Sequence, residues 1–160
     1  MAERYDFILL DCPPSLGLLS LNAFTLAREL LIPLQTQFFA LQGMTKLLEV
    51  MRLVQARLNP SLGLGGILAT QYDIRTNLSR EVLEEIRKHF PGQVFATIIR
   101  SNIKLSEAPS HGRTILAYAP GSPGAEDYRN LAEEVLCGIG KKRPVPQPGA
   151  SPPVAPSPAS

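Results

Sequence analysis

Residues 5–15 read YDFILLDCPPS: an apolar run over Tyr5–Leu10, closed by Asp11 and broken by Pro13 and Pro14. Short, largely apolar and ended by turn residues, the run reads as a buried strand that stops at an acid. The same grammar repeats downstream. Ser15–Leu31 carries Leu18, Leu19, Ala23, Leu26, Ala27 and Leu30 at helical spacing, with Ser15 or Ser20 available as its cap. Leu30–Leu34 is a second strand. Thr45–Leu58 is an amphipathic helix with Leu47, Leu48, Met51, Val54 and Leu58 on one face, stopped by Asn59-Pro60. Leu64–Thr70 is a third strand. Leu78–Phe90 is a helix with Val82, Leu83, Ile86 and Phe90 inward, ended at Pro91-Gly92. Val94–Ile99 is strand-like, and Glu126–Leu136 forms the last helix.

Short strands, apolar on both faces and alternating with helices, are the pattern of a parallel sheet covered by helices. Ligands in such folds sit beyond the carboxyl ends of the strands. Those ends here are Asp11–Pro14, Gln35–Phe39, Thr70–Thr76 and Arg100–Asn102.

Composition narrows the classes. The chain has 160 residues and two cysteines, too few for a disulfide framework. No stretch approaches the ~20 apolar residues of a membrane span. The start, MAERYDF, has no secretory pattern. A reducing cytoplasmic setting is expected. Seven of the 15 prolines fall in the last 20 residues, KKRPVPQPGASPPVAPSPAS. That composition cannot bury enough apolar surface to order itself. The expected division is a folded domain over 1–140 and a disordered Pro-rich tail over 141–160. Lys141, Lys142 and Arg143 belong to the tail, so residues 1–140 hold 13 basic and 14 acidic residues. The sequence pI near 8.7 is largely a tail effect. A nucleic-acid role must then rest on local clusters.

Asp11 is the sharpest single position. An acid straight after an apolar strand can orient a water on Mg²⁺, or it can cap the following helix. No G-x-x-x-x-G-K-[ST] phosphate cradle is present. Gly138-Ile139-Gly140-Lys141 follows a helix, and Gly63, Gly65 and Gly66 lead into a strand rather than out of one. Cys12 and Cys137 have no histidine at ligand spacing and read as buried or half-buried thiols. His89 sits at a helix end, and His111 in SEAPSHG has no nucleophile partner. Glu81, Glu84 and Glu85 form a solvated helix face. Arg75 and Arg80 flank the loop after the third strand, and Arg100 and Lys104 the loop after the fourth. Four cations at one sheet edge could grip DNA phosphates, or they could be dispersed solvated charge.

Longer strings add a resemblance. FILLDCPPSLGLLSLNAF, LLIPLQTQFFALQGMTKLLEVMRLVQARLNP, GILATQYDIRTNLSREVLEEI and TIIRSNIKLSEAPSHGRTILAYAPGSPGAEDYRNLAEEVL resemble consecutive blocks of the ParA/Soj family of chromosome- and plasmid-partitioning ATPases, over residues 5–137. The resemblance implies an α/β fold: a partial doubly wound parallel sheet with flanking helices, P-loop NTPase-like but lacking the N-terminal P-loop unit. It implies ATP and Mg²⁺ as cofactors of the intact family and a nucleotide-driven homodimer or ParA-like partner. It also implies nonspecific DNA, a ParB-type centromere-binding protein and a cytoplasmic, nucleoid-associated setting. Asp11 matches the Walker B aspartate, which reaches Mg²⁺ through water. Thr70, Gln71, Tyr72, Asp73, Arg100 and Asn102 match positions near the nucleotide base. Arg75 and Lys104 match basic positions linked to DNA binding, and Arg80 and Arg100 join them in the edge cluster.

The family opens with K-G-G-V-G-K-T-T about a hundred residues before its D-x-P-P turn, whereas Asp11 stands close to the start of this sequence. The phosphate-contacting lysines, the Mg²⁺-binding Thr and the catalytic acid are therefore expected to be missing, and no ATP hydrolysis by this chain alone is expected. Gln37 and Gln42 stand where the family tends to have acids. Tyr5–Leu10 is expected to lose its central neighbour strand and the chain to be marginally stable. The alternative is a catalytically inactive ParA-like module that binds nonspecific DNA or a full-length ParA partner. A nonfunctional remnant is a third reading.

Overall fold

A computed structural model describes residues 4–37 and 40–138. The expected tail and the Gly138–Lys142 string beyond its first residue lie outside the described residues. The elements run α1 (Leu18–Leu26), β1 (Glu29–Gln35), α2 (Ala40–Arg57), β2 (Gly63–Thr70), α3 (Asn77–His89), α4 (Ile103–Glu107), a 3-10 turn (Ala108–His111), α5 (Ile115–Tyr118) and α6 (Pro123–Gly138).

β1 and β2 pair in parallel, from Glu29 opposite Gly63 to Gln35 opposite Thr70. The register slips where Leu30 faces Leu64 and Leu31 faces Gly66, leaving Gly65 as a bulge. A Cβ there would sit 3.2 Å from the Glu29 side chain, which would have to give by a few tenths of an ångström to admit it.

β2 is covered on both faces. Ile67 packs into a large cluster with Ile32, Leu34, Leu48, Met51, Val54 and Ile86, drawn from β1, α2 and α3. Leu68 packs the other way, with Phe95, Ile99 and the α6 side chains Leu131 and Val135. Helices on both faces of parallel strands give the expected α/β layering. β1 differs from the expectation of two apolar faces. Ile32 and Leu34 are buried, whereas Leu31, Pro33 and Gln35 are exposed.

Asn59 stops α2 and does more. Its side-chain amide donates to Phe24 O (2.9 Å) and Ala27 O (2.7 Å), and its oxygen accepts from Ser61. One buried amide thus satisfies the frayed end of α1 and pins it to the α2–β2 turn.

Val94–Ile99 is not a regular strand. Gln93–Ser101 follows the second edge of β2 through two isolated parallel bridges, Ile67–Val94 and Tyr72–Arg100. Between the hydrogen bonds Phe95 N to Ile67 O and Ile99 N to Ala69 O, the line uses two more residues than β2 does. The excess bows toward α6, where the Glu134 carboxylate takes the amides of Ala96 (2.7 Å) and Thr97 (2.8 Å). A side chain replaces the ladder.

Tyr5–Leu10 is a correction. The run is not in the sheet, and its apolar side chains face outward; Leu9 is 89% exposed. An apolar run becomes a buried strand only with a ladder partner and a covering layer, and the described residues supply neither. α1 is also shorter than its pattern, and Leu18, Leu19 and Leu26 are exposed. Its N-cap is Gly17, without a side-chain cap. Ser20 Oγ donates backward to Ser15 O (2.6 Å) instead. Leu58, expected inward, is exposed.

Candidate functional site at the carboxyl edge of the sheet

The carboxyl ends of β1, β2 and the third line converge. Thr36, one residue past β1, donates its amide to Thr70 O (3.1 Å). Its buried hydroxyl reaches Gln71 O (3.4 Å) and Ser79 Oγ (3.3 Å). Ser79 Oγ in turn accepts from Thr76 Oγ1 (3.0 Å) and from Asp73 N (3.3 Å). Sequence reasoning missed this hydroxyl chain, because Thr36 and Ser79 are 43 residues apart. The chain locks the β2–α3 loop against β1. Within that loop Gln71 takes φ +53°, left-handed backbone that costs a non-glycine residue roughly 1 kcal/mol or more. Held strain of this kind clusters at ligand sites.

Beside it lies a cleft of about 540 Å³, lined by Thr70, Gln71, Arg100, Ser101, Asn102 and Tyr128 with an apolar floor that includes Ile99 and Leu105. Four of the expected base-site residues, Thr70, Gln71, Arg100 and Asn102, therefore meet in one cavity. Tyr72 contributes backbone, bridging to Arg100. Asn102 caps α4, its Oδ1 accepting from Lys104 N (2.8 Å). Asp73 turns away from the cleft toward Arg75: its Oδ1 accepts from the Arg75 amide and Nε (both 3.0 Å) and its Oδ2 from Nη2 (2.9 Å). The Arg75 guanidinium holds this carboxyl down to about 2.

The expected basic cluster is partly neutralised. Arg100 Nη2 lies 2.6 Å from Asp127 Oδ1 and 2.8 Å from Glu126 Oε2, and these hydrogen bonds raise its pKa. Lys104 Nζ lies 2.8 Å from Glu107 Oε2, which raises the lysine and lowers the glutamate. Tyr118 OH donates to the same Glu107 oxygen (2.9 Å), and the His111 ring stacks on Tyr118 at 4.8 Å. His111 thus has an aromatic neighbour that its loop position gave no hint of. Arg80 is exposed on α3. The Tyr72–Arg100 bridge sets loop 71–76, which carries Arg75, beside loop 100–104, which carries Arg100 and Lys104.

Asp11 is exposed and lines a different hollow, of about 430 Å³, with Leu9, Leu10, Leu19 and Leu26. That hollow shares no lining residue with the polar cleft. Among the described residues no cluster of three or more His, Cys, Asp or Glu could hold a metal ion. Cys12 is half-buried as expected, but Cys137 is exposed.

A family model described as an AAA domain matches residues 1–64. The chain is 50% identical over 133 residues to the sporulation initiation inhibitor protein Soj of Bacillus subtilis, covering 83% of this chain and 53% of Soj. It is 49% identical over 140 residues to the chromosome-partitioning ATPase Soj of Treponema pallidum, covering 88% and 55%. The chain spans about half the length of these curated relatives, matching their C-terminal portion. Cobyrinic acid a,c-diamide synthase from Mycobacterium smegmatis, solved with bound ADP and magnesium, superposes with a TM-score of 0.65 at 35% identity, over 86% of this chain and 50% of the synthase. The parallel sheet with flanking helices is a P-loop NTPase architecture.

Proposed function

The chain belongs to the Soj/ParA family, and on that premise we propose that it is the C-terminal, base-binding part of a ParA-type ATPase serving chromosome or plasmid partitioning. The observation that carries this reading is the cleft where Thr70, Gln71, Arg100 and Asn102 meet at the carboxyl ends of the strands. In this reading the polar rim of Asn102, Ser101 and Thr70 orients the base, and Tyr128 and Leu105 close the cleft against water.

Bound ATP-Mg²⁺ would supply the energy for a dimerisation cycle in the intact family. The sequence carries no G-x-x-x-x-G-K-[ST] cradle for its phosphates, and Asp11 lies in a separate hollow. Chemistry is therefore assigned to a site completed by a phosphate-loop half, not to this chain alone. The partners in this reading are nonspecific DNA, a ParB-type protein and a ParA-like copy, in the cytoplasm at the nucleoid. Among the described residues no helix is long and apolar enough to cross a membrane.

A fluorescent adenine nucleotide and a phosphate-release assay test the reading. Weak nucleotide binding that Asn102→Ala reduces, with no magnesium-dependent hydrolysis, is the expected result. Hydrolysis by the purified chain would overturn it.

The alternative, an inactive module that contacts DNA, draws on Arg75, Arg80 and Lys104. Arg75 is 84% exposed in its side chain and Lys104 51%, both at the edge beside the cleft. The two readings are compatible, because the same edge serves both.

A further inference from the structure

Two of the edge cations each carry an internal anion in hydrogen-bond contact. Arg75 presents the fork of its guanidinium to Asp73, Nε to Oδ1 at 3.0 Å and Nη2 to Oδ2 at 2.9 Å. A phosphate diester would use that same fork. Lys104 Nζ is 2.8 Å from Glu107 Oε2 and 5.8 Å from the Tyr118 ring centroid. Both pairs are local, two and three residues apart, and both cations are exposed, so neither pair ties distant elements together. Arg100 is different: its partner Asp127 is buried and the pair holds α6.

Each acid also has a place to remain when its cation leaves. Asp73 Oδ1 keeps the Arg75 amide (3.0 Å), and Glu107 keeps the Tyr118 hydroxyl (2.9 Å). The cation can swing to a new anion while the carboxylate stays hydrogen-bonded, so the exchange leaves no polar group stranded.

We propose that Asp73 and Glu107 are latches that occupy Arg75 and Lys104 and hold DNA affinity down, each cation exchanging its carboxylate for a backbone phosphate on binding. The inference rests on the DNA-contact reading above. Exposed pairs of this kind are worth little individually, which suits a reversible latch: strong enough to lower affinity, weak enough to open.

The test is binding of a short duplex of arbitrary sequence to the full chain, followed by fluorescence anisotropy at fixed low salt. Asp73→Asn and Glu107→Gln keep the amide and hydroxyl contacts and remove the charge. Each is expected to tighten binding roughly 1.5- to 5-fold. The gain from Asp73→Asn should vanish in an Arg75→Ala background, and that from Glu107→Gln in Lys104→Ala. Glu84→Gln, an exposed acid on α3, is the charge control. If all three acid variants gain equally, or the gains survive loss of the cation, bulk charge explains them and the latch is overturned. If Arg75→Ala and Lys104→Ala weaken binding while the acid variants change nothing, the DNA reading stands and the latch falls. If no variant binds above the Arg75→Ala/Lys104→Ala double substitution, the DNA reading fails and the latch falls with it.

Discussion

Asp127 holds Arg100 by both backbone and side chain. Its Oδ2 accepts from the Arg100 amide at 2.9 Å, and its Oδ1 lies 2.6 Å from Nη2 and 3.0 Å from Nε. The carboxylate is buried, whereas the guanidinium is 41% exposed. The pair fixes Arg100, which lines the cleft, against the N-terminal half of α6. Asp127→Ala strands the Arg100 amide and leaves the guanidinium only Glu126 and Pro123 O, and should cost about 1–3 kcal/mol, read by urea denaturation. Glu126→Gln, on the exposed arm of the same guanidinium, should change stability by less than about 0.5 kcal/mol.

Asn59→Ala leaves Phe24 O and Ala27 O without their donor. A loss of about 1–3 kcal/mol is expected in the same assay. Fraying should concentrate in α1, with hydrogen exchange over residues 20–27 rising before exchange in β2.

The Asp73 carboxyl should titrate near 2 rather than 3.8 in an NMR pH series, because Arg75 bonds its charged form. A depressed acid contributes its stability above the unfolded value and loses it as pH falls through the folded one. The loss from this group therefore falls between about pH 4 and pH 2. Arg75→Ala should return the midpoint toward 3.8.

Leu9→Ser and Met51→Ala make a contrasting pair. Leu9 is 89% exposed and Met51 fully buried. Met51→Ala should cost roughly 2–5 kcal/mol. Leu9→Ser should leave unfolding within about 0.5 kcal/mol while lowering binding of an apolar dye and self-association in light scattering. A large destabilisation by Leu9→Ser would mean that Tyr5–Leu10 packs inward after all.

Helices α2 and α3 and strand β2 were legible because their side chains repeat with the period of the element and meet a continuous core. Met51, Val54 and Ile86 could hardly be elsewhere. Tyr5–Leu10 has as good an apolar pattern as β2, yet burial depends on what lies alongside, and periodicity is silent about neighbours. Val94–Ile99 read as a strand because its residues favour one. It is bowed by Glu134, a residue 37 and 38 positions downstream. At the site, strand-end logic located Thr70, Gln71, Arg100 and Asn102 together. It did not show that Asp73, Glu107 and Asp127 would neutralise three of the four cations, since pairing is fixed by side-chain geometry rather than by type. Nor could it reveal the Thr36–Ser79 hydroxyl chain, which needs β1 and α3 side by side.

Glu134 and Asp127 together grip the backbone amides of Ala96, Thr97 and Arg100. One wall of the cleft is thus suspended from a helix as well as stitched to the sheet. Peptide amides are the same in every residue but proline, so the suspension is indifferent to which side chains occupy Ala96 and Thr97. Two acids two turns apart on α6 can keep Asn102 in place while the sequence between the two bridges drifts. The demand for fidelity moves from the strand to the helix.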